Sequence, residues 1–241
     1  MFDKDGTLIE FHKLWLGATE KVIKLFCTVN QITINEKMQK SLLEIIGVEG
    51  EKIRQDGALA YKTYAGIGKD IAVFLETRGI IISEKLAGRQ LEVLYETVLG
   101  QEEAQYIPTC DLKKLFGELK KKGIKIGLAT ADNEQISRIC LEKLEILQEF
   151  DYLGWDDGSC CPKPAPDMLD KFCEQCGLLK GQVAVVGDTV NDMRFAKENG
   201  AIGVATLSGL GAEQELREAA DVVLKNPSEL VHRIINNCYF E

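Results

Sequence analysis

Val183-Ala184-Val185-Val186-Gly187-Asp188-Thr189-Val190-Asn191-Asp192 decides how this chain is read. Its first half is a short apolar run rich in β-branched residues, the pattern of a strand buried on both faces. It runs directly into polar residues at a helix start. Asp188 and Asp192 stand at i and i+4 there, so both carboxylates can face one point. In open α/β sheets, ligands bind at the carboxyl ends of the strands.

Working outward, the same alternation of short apolar strands and helices extends over the second half of the chain. Strands are expected at Ile124–Ala129, Tyr152–Gly154, Val183–Gly187, Ile202–Ala205 and Val222–Leu224. Helices are expected at Leu112–Lys122, from a cap at Asp132 or Asn133 to about Leu147, and near Pro166–Cys176, Asn191–Asn199 and Ala212–Ala219. That order predicts an α/β fold with a Rossmann-like parallel sheet covered on both faces. From about Phe11 to Leu99 the periodicity is instead helical, through Trp15, Val22, Leu25 and Phe26. Gly47, Gly50 and Gly57 mark loops between those helices, and only Ile80–Ile82 reads as a short strand. The predicted organisation is a core of residues 1–11 and 96–241 interrupted by a helical domain of residues 12–95.

Composition narrows the function. The 241 residues are 45% hydrophobic and 28% charged, with a net charge of −9. A chain of that length buries enough surface to fold without disulfides or metal. Its acidity argues against nucleic-acid partners, and its apolar runs are too short to span a membrane. Without a leader pattern, the cysteines (Cys27, Cys110, Cys140, Cys160, Cys161, Cys173, Cys176 and Cys238) fit a reducing, cytoplasmic setting. Cys160-Cys161 followed by Cys173 and Cys176 admits a zinc reading, but Cys173 and Cys176 suit one buried helix face better.

The candidate chemistry is acidic. Asp3 and Asp5, in Met1-Phe2-Asp3-Lys4-Asp5-Gly6-Thr7-Leu8, follow a strand end, and in a regular strand i and i+2 share one side. Two carboxylates so close call for a divalent cation or a shared proton. One can attack as nucleophile while the other moves protons. Thr130 ends the strand Ile124–Ala129, and its hydroxyl with the following backbone N–H groups, that of Ala131 first, can hold phosphate oxygens. Lys163, in Pro162-Lys163-Pro164, carries an ammonium on a stiffened backbone. Asp188 and Asp192 have the hard oxygen ligands of a Mg²⁺ site.

The ordered set DxDGT, strand-Thr, Lys-Pro and GDxxxD resembles the haloacid dehalogenase superfamily of phosphohydrolases, in the branch of phosphoglycolate phosphatase and β-phosphoglucomutase. The resemblance covers nearly the whole chain and implies that the helical domain is a cap. It implies Asp3 as nucleophile, Asp5 as general acid and base, and Thr130 with Lys163 on the phosphoryl group. Mg²⁺ would be held by Asp3, the Asp5 carbonyl, Asp188 and Asp192. Members usually run about five apolar residues into the first Asp, whereas only Met1 and Phe2 precede Asp3 here, so a short central strand is expected.

The implied activity is Mg²⁺-dependent hydrolysis of a small phosphorylated metabolite, phosphoglycolate-like or a sugar phosphate, through an aspartyl-phosphate. The alternatives are a phosphomutase of the β-phosphoglucomutase type and, in a different class, a non-hydrolytic phospho-accepting regulatory or binding protein. Receivers of that last kind are nearer 120 residues and place Lys-Pro last, which disfavours them here. Substrate selection is expected from the helical domain, where Lys52 and Arg54 beside Glu51 offer cations; His12 and Trp15 are placed to line the entrance, although Trp15 suits the helix core better. A monomer or homodimer is expected.

Overall fold

The computed structural model describes residues 1–156, 158 and 161–235. The chain separates into two compact units, one of Met1–Phe11 with the chain from Tyr106 onward, the other of His12–Gln105.

The His12–Gln105 unit holds helices α1 (Phe11–Val29), α2 (Glu36–Ile45), α3 (Ala58–Tyr61), α4 (Tyr64–Glu76) and α5 (Glu84–Leu99), with strands β1 (Val48–Glu49) and β2 (Lys52–Ile53) after α2. Burial of the α1 face drives its assembly: Val22, Ile23 and Phe26 are fully buried. The Trp15 and Tyr95 rings meet at 5.5 Å, and Thr19 shares a buried 2.9 Å hydroxyl bond with Tyr95. Trp15 is therefore a core residue. Helices α4 and α5 touch at their glycines, since a Cβ on Gly68 would lie 2.3 Å from the Gly88 nitrogen.

Two expectations for this region are corrected. A boundary after residue 95 would cut α5, which continues to Leu99, and the chain rejoins the first unit only at Tyr106. Ile80–Ile82 forms no ladder and links α4 to α5 with Ile81 exposed. The strands lie instead at β1 and β2, an antiparallel hairpin pairing Val48 with Ile53. Gly50 at φ +60° supplies the left-handed conformation that a two-residue hairpin loop needs.

The other unit contains α6 (Leu112–Lys121), β3 (Gly127–Ala129), α7 (Glu134–Lys143), β4 (Tyr152–Gly154) and α8 (Asp167–Cys176). After these come β5 (Ala184–Gly187), α9 (Val190–Glu198), β6 (Ile202–Thr206), α10 (Glu213–Ala219), β7 (Val222–Leu224) and α11 (Glu229–Ile235). Strand β4 pairs with β3, β5 with β6 and β6 with β7, all parallel. Met1–Asp3 joins the two sets: Phe2 bridges Leu128 of β3 and Val186 of β5, and the Asp3 N–H donates to the Val186 carbonyl at 2.8 Å. The parallel order is thus β4, β3, Met1–Asp3, β5, β6, β7.

Alternation places successive side chains on opposite faces. Met1 joins an apolar layer with Met168, Phe172, Val185 and Phe195, while the Phe2 ring meets Phe116 of α6 at 5.4 Å. Helix α7 ends earlier than Leu147, because Glu145 takes φ +56° and breaks the helical hydrogen bonding. Cys173 is buried in the Met1 layer and Cys176 packs against it, as the apolar reading expects. Cys160 and Cys238 lie outside the described residues, and among those described no cysteine cluster suited to a metal occurs. Among them, too, no helix is long and apolar enough to cross a membrane.

Candidate active site

The site forms where the central segments leave the sheet. Asp3 ends the Met1–Asp3 segment, Thr130 follows β3 and Asp188 follows β5, so sheet registry fixes their relative height. One carboxylate oxygen each from Asp3, Asp188 and Asp192 lies within 4.8 Å of the others, and all three residues are buried.

Asp192 is aligned by its own helix. Thr189 caps α9, with its hydroxyl accepting from the Asp192 N–H, while Asp192 Oδ2 accepts from the Thr189 N–H at 3.1 Å. This reciprocal cap satisfies helix-terminal donors and leaves little rotational freedom to the carboxylate. Its Oδ1 receives the Lys163 ammonium at 2.5 Å, and the same ammonium donates to Asp3 Oδ1 at 2.7 Å. Lys163 precedes a cis peptide bond to Pro164, and its side chain is only 6% exposed.

Asp188 is held by the turn after β6. The Leu210 N–H donates to Asp188 Oδ2 at 2.8 Å, and the Thr7 hydroxyl donates to Oδ1 at 3.3 Å. Gly209 permits the approach, since a Cβ there would fall 1.8 Å from Asp188 Oδ2. Ser208 secures the turn by donating to the Gly6 carbonyl at 2.8 Å.

Burial pushes the Asp3 carboxyl up to about 7 against the opposing pull of Lys163, and the charge on Asp192 adds to the rise. Burial, then the charges of Asp3 and Asp192, hold the Asp188 carboxyl well above the ordinary carboxylate range. Burial alone would lower the Lys163 pKa, but Asp192 and Asp3 outweigh it and hold the ammonium above the ordinary lysine range. With the carboxylates ionised, three negative charges face one ammonium, leaving two. Hard oxygen ligands with that residual charge fit one divalent cation.

Asp5 departs from the expected arrangement. Asp3 and Asp5 do not share a regular strand, because the chain leaves the sheet after Asp3. The Leu8 N–H returns to the Lys4 carbonyl at 2.8 Å, and Gly6 takes φ +80°. The Asp5 carboxylate lies 2.5 Å from the ammonium of its neighbour Lys4, outside the Asp3–Asp188–Asp192 cluster. Thr130 is buried, and its hydroxyl accepts from the Asp132 N–H at 3.2 Å, leaving its proton for another acceptor. Ala131 follows, exposed. His12, Lys52 and Arg54 are exposed in the other unit, where Arg54 pairs with Glu49 at 3.1 Å and Asp56 at 3.4 Å.

Sequence reading missed Lys4 and the turn Ser208–Gly211, and offered Asp132 only as a cap of α7, a role Asn133 takes. Lys4 carried one signal: a charged residue at the position alternating with Asp3 and Asp5, where an interior strand is usually apolar. Gly209 and Gly211 just past the end of β6 were the other.

The model of the haloacid dehalogenase-like hydrolases matches residues 1–200. The chain belongs to that family. A phosphoglycolate phosphatase of Aquifex aeolicus is 25% identical over 237 residues, covering 98% of this chain and 96% of that protein. Among solved structures, a predicted phosphoglycolate phosphatase from Haemophilus somnus superposes with a TM-score of 0.70 at 18% identity, over 97% of this chain and 96% of its own. A haloacid dehalogenase-like hydrolase from Bacillus subtilis, solved with magnesium, gives 0.64 at 14% identity, over 98% and 96%. This hydrolase family accounts for both the parallel sheet and the acidic edge.

Proposed function

We propose that this hydrolase is a Mg²⁺-dependent phosphomonoesterase that works through a phosphoryl group carried on Asp3. The observation that carries the reading is the Lys163 ammonium shared by Asp3 and Asp192, with Asp188 completing a buried carboxylate cluster. An Asp in that setting suits a nucleophile, because Lys163 favours its ionised form while burial strips it of solvent.

Asp3 Oδ attacks phosphorus and the ester oxygen departs, taking a proton from Asp5. Water then attacks the phosphoryl-Asp3 phosphorus, giving its proton to Asp5 and releasing inorganic phosphate. Asp5 thus ends each cycle as it began. Thr130, the Ala131 N–H and Lys163 hold the phosphoryl oxygens, where fixed donors contribute most to transition-state stability. Asp3, Asp188, Asp192 and the Asp5 carbonyl would hold the magnesium ion, which offsets the charge gathered on the phosphoryl oxygens.

The substrate is a small phosphorylated metabolite of the phosphoglycolate type, a reading supported by the likeness to phosphoglycolate phosphatases. The His12–Gln105 unit acts as the cap in this account, with Arg54, Lys52 and His12 as its candidate substrate contacts. A panel of phosphorylated metabolites, with phosphoglycolate, sugar phosphates, nucleotides and pyrophosphate, tests it with Mg²⁺ and with EDTA. Release of phosphate from a monoester in Mg²⁺, abolished by EDTA, is expected. Turnover that survives EDTA, or interconversion of phosphate isomers without phosphate release, would overturn it, the second in favour of a mutase.

A further inference from the structure

We propose that Lys4 is a positioning residue for proton transfer, its buried ammonium setting the orientation of the Asp5 carboxylate. The proposal rests on the reading of Asp5 as acid and base. Lys4 Nζ lies 2.5 Å from Asp5 Oδ2 and 2.8 Å from Asp132 Oδ2, with Cys140 Sγ at 3.8 Å. Its side chain is wholly buried, whereas those of Asp5 and Asp132 are 17% and 13% exposed.

A lysine inside a protein is costly unless its charge is met, and an apolar side chain of similar volume is often as stable there. Stability alone therefore gives no reason to keep an ammonium beneath the acid–base residue. The surroundings are arranged to accept it. Asp132 and Asn133 are both fitted to cap α7, but Asn133 does so, accepting from the Ile136 N–H at 2.9 Å. Asp132 is thereby released to meet Lys4. The ammonium then joins the turn carrying Asp5 to the loop carrying Thr130 and Ala131, so proton donor and phosphate-holding groups keep a common frame. The two lysines divide the work: Lys163 serves Asp3 and Asp192, and Lys4 serves Asp5 and Asp132.

A group that acts through the proton donor should matter in proportion to how much the leaving group needs a proton. Lys4→Met keeps the stem and removes the charge. Lys4→Met/Asp132→Asn removes the charge while sparing the fold a lone buried carboxylate. Both are compared with wild type in kcat/KM for p-nitrophenyl phosphate, whose phenolate leaves unprotonated, and for β-glycerol phosphate, whose alkoxide cannot. A misplaced general acid forfeits roughly 30–100-fold of its contribution, so β-glycerol phosphate should lose about that factor. The aryl ester should lose less than about threefold, since it draws little on general acid catalysis. Equal losses on the two esters, or none, would overturn the proposal while leaving the phosphatase reading intact. Failure of both variants to fold would assign Lys4 to stability and overturn it too. Wild-type protein inactive on both esters would overturn the phosphatase reading, and this proposal with it.

Discussion

Lys163→Met removes the ammonium between Asp3 and Asp192 while preserving much of the stem's volume. It breaks the 2.7 Å and 2.5 Å ion pairs, which join side chains 3–12% exposed. Removing one partner from a buried ion pair costs about 3–5 kcal/mol. For a chain of this size each kcal/mol moves Tm by roughly 2–4 °C, so a fall of about 6–20 °C is expected in metal-free buffer at pH 8. Thermal unfolding followed by calorimetry measures it. The deficit should shrink toward pH 5, because protonating Asp3, already pushed up to about 7 by burial, relieves the uncompensated charge. Mg²⁺ at a hundredfold excess over its Kd adds about 2.7 kcal/mol and restores part of the stability. It should not restore turnover, since the phosphoryl oxygens still lack a fixed cation, a defect of about 10²–10³-fold in kcat. A Tm within about 2 °C of wild type at pH 8, less than the shift from a single kcal/mol, together with unchanged kcat, would refute the electrostatic account of the site.

Asp3→Asn should abolish turnover with the fold retained, checked by circular dichroism and phosphate release. In EDTA it should also gain stability over wild type as pH rises from 5 to 8. Burial raises the folded Asp3 pKa to about 7, so wild type binds the extra proton below that pH and loses stability as it leaves. Gly209→Ala drives a methyl into Asp188, where a Cβ would lie 1.8 Å from Oδ2. Mg²⁺ affinity by titration calorimetry should fall about 10–100-fold, the usual scale for a displaced supporting contact. Arg54→Ala should lower kcat/KM for a carboxylated phosphate ester by about 10–100-fold, the effect of removing one charged hydrogen bond. Hydrolysis of p-nitrophenyl phosphate should barely change.

Legibility in the sequence follows length and periodicity. Strands β5 and β6 and helices α6, α8 and α9 declare themselves through unbroken apolar runs or an amphipathic stripe, and the acidic residues after β5 mark the sheet edge. The hairpin β1–β2 does not, because two-residue strands are too short to show alternation and only Gly50 punctuates them. The turn of Asp5 away from Asp3 is hidden for a different reason. Regular-strand geometry fails through a segment where Gly6 and the Lys4 carbonyl close a tight loop. Lys4 escapes notice because lysine is ordinarily a surface residue, and its burial depends on Asp132, distant in sequence. Local pattern carries no record of such a pair.

Every other step depends on Asp3 carrying the phosphoryl group. The most direct test is acid-quenching of the enzyme during turnover of a ³²P-labelled substrate with Mg²⁺, followed by peptide mapping of the acyl-phosphate. Hydroxylamine-labile label is expected on the N-terminal peptide at Asp3 and should be absent from Asp3→Asn protein. Label on another residue, or Asp3→Asn protein that turns over at the wild-type rate, would contradict that role.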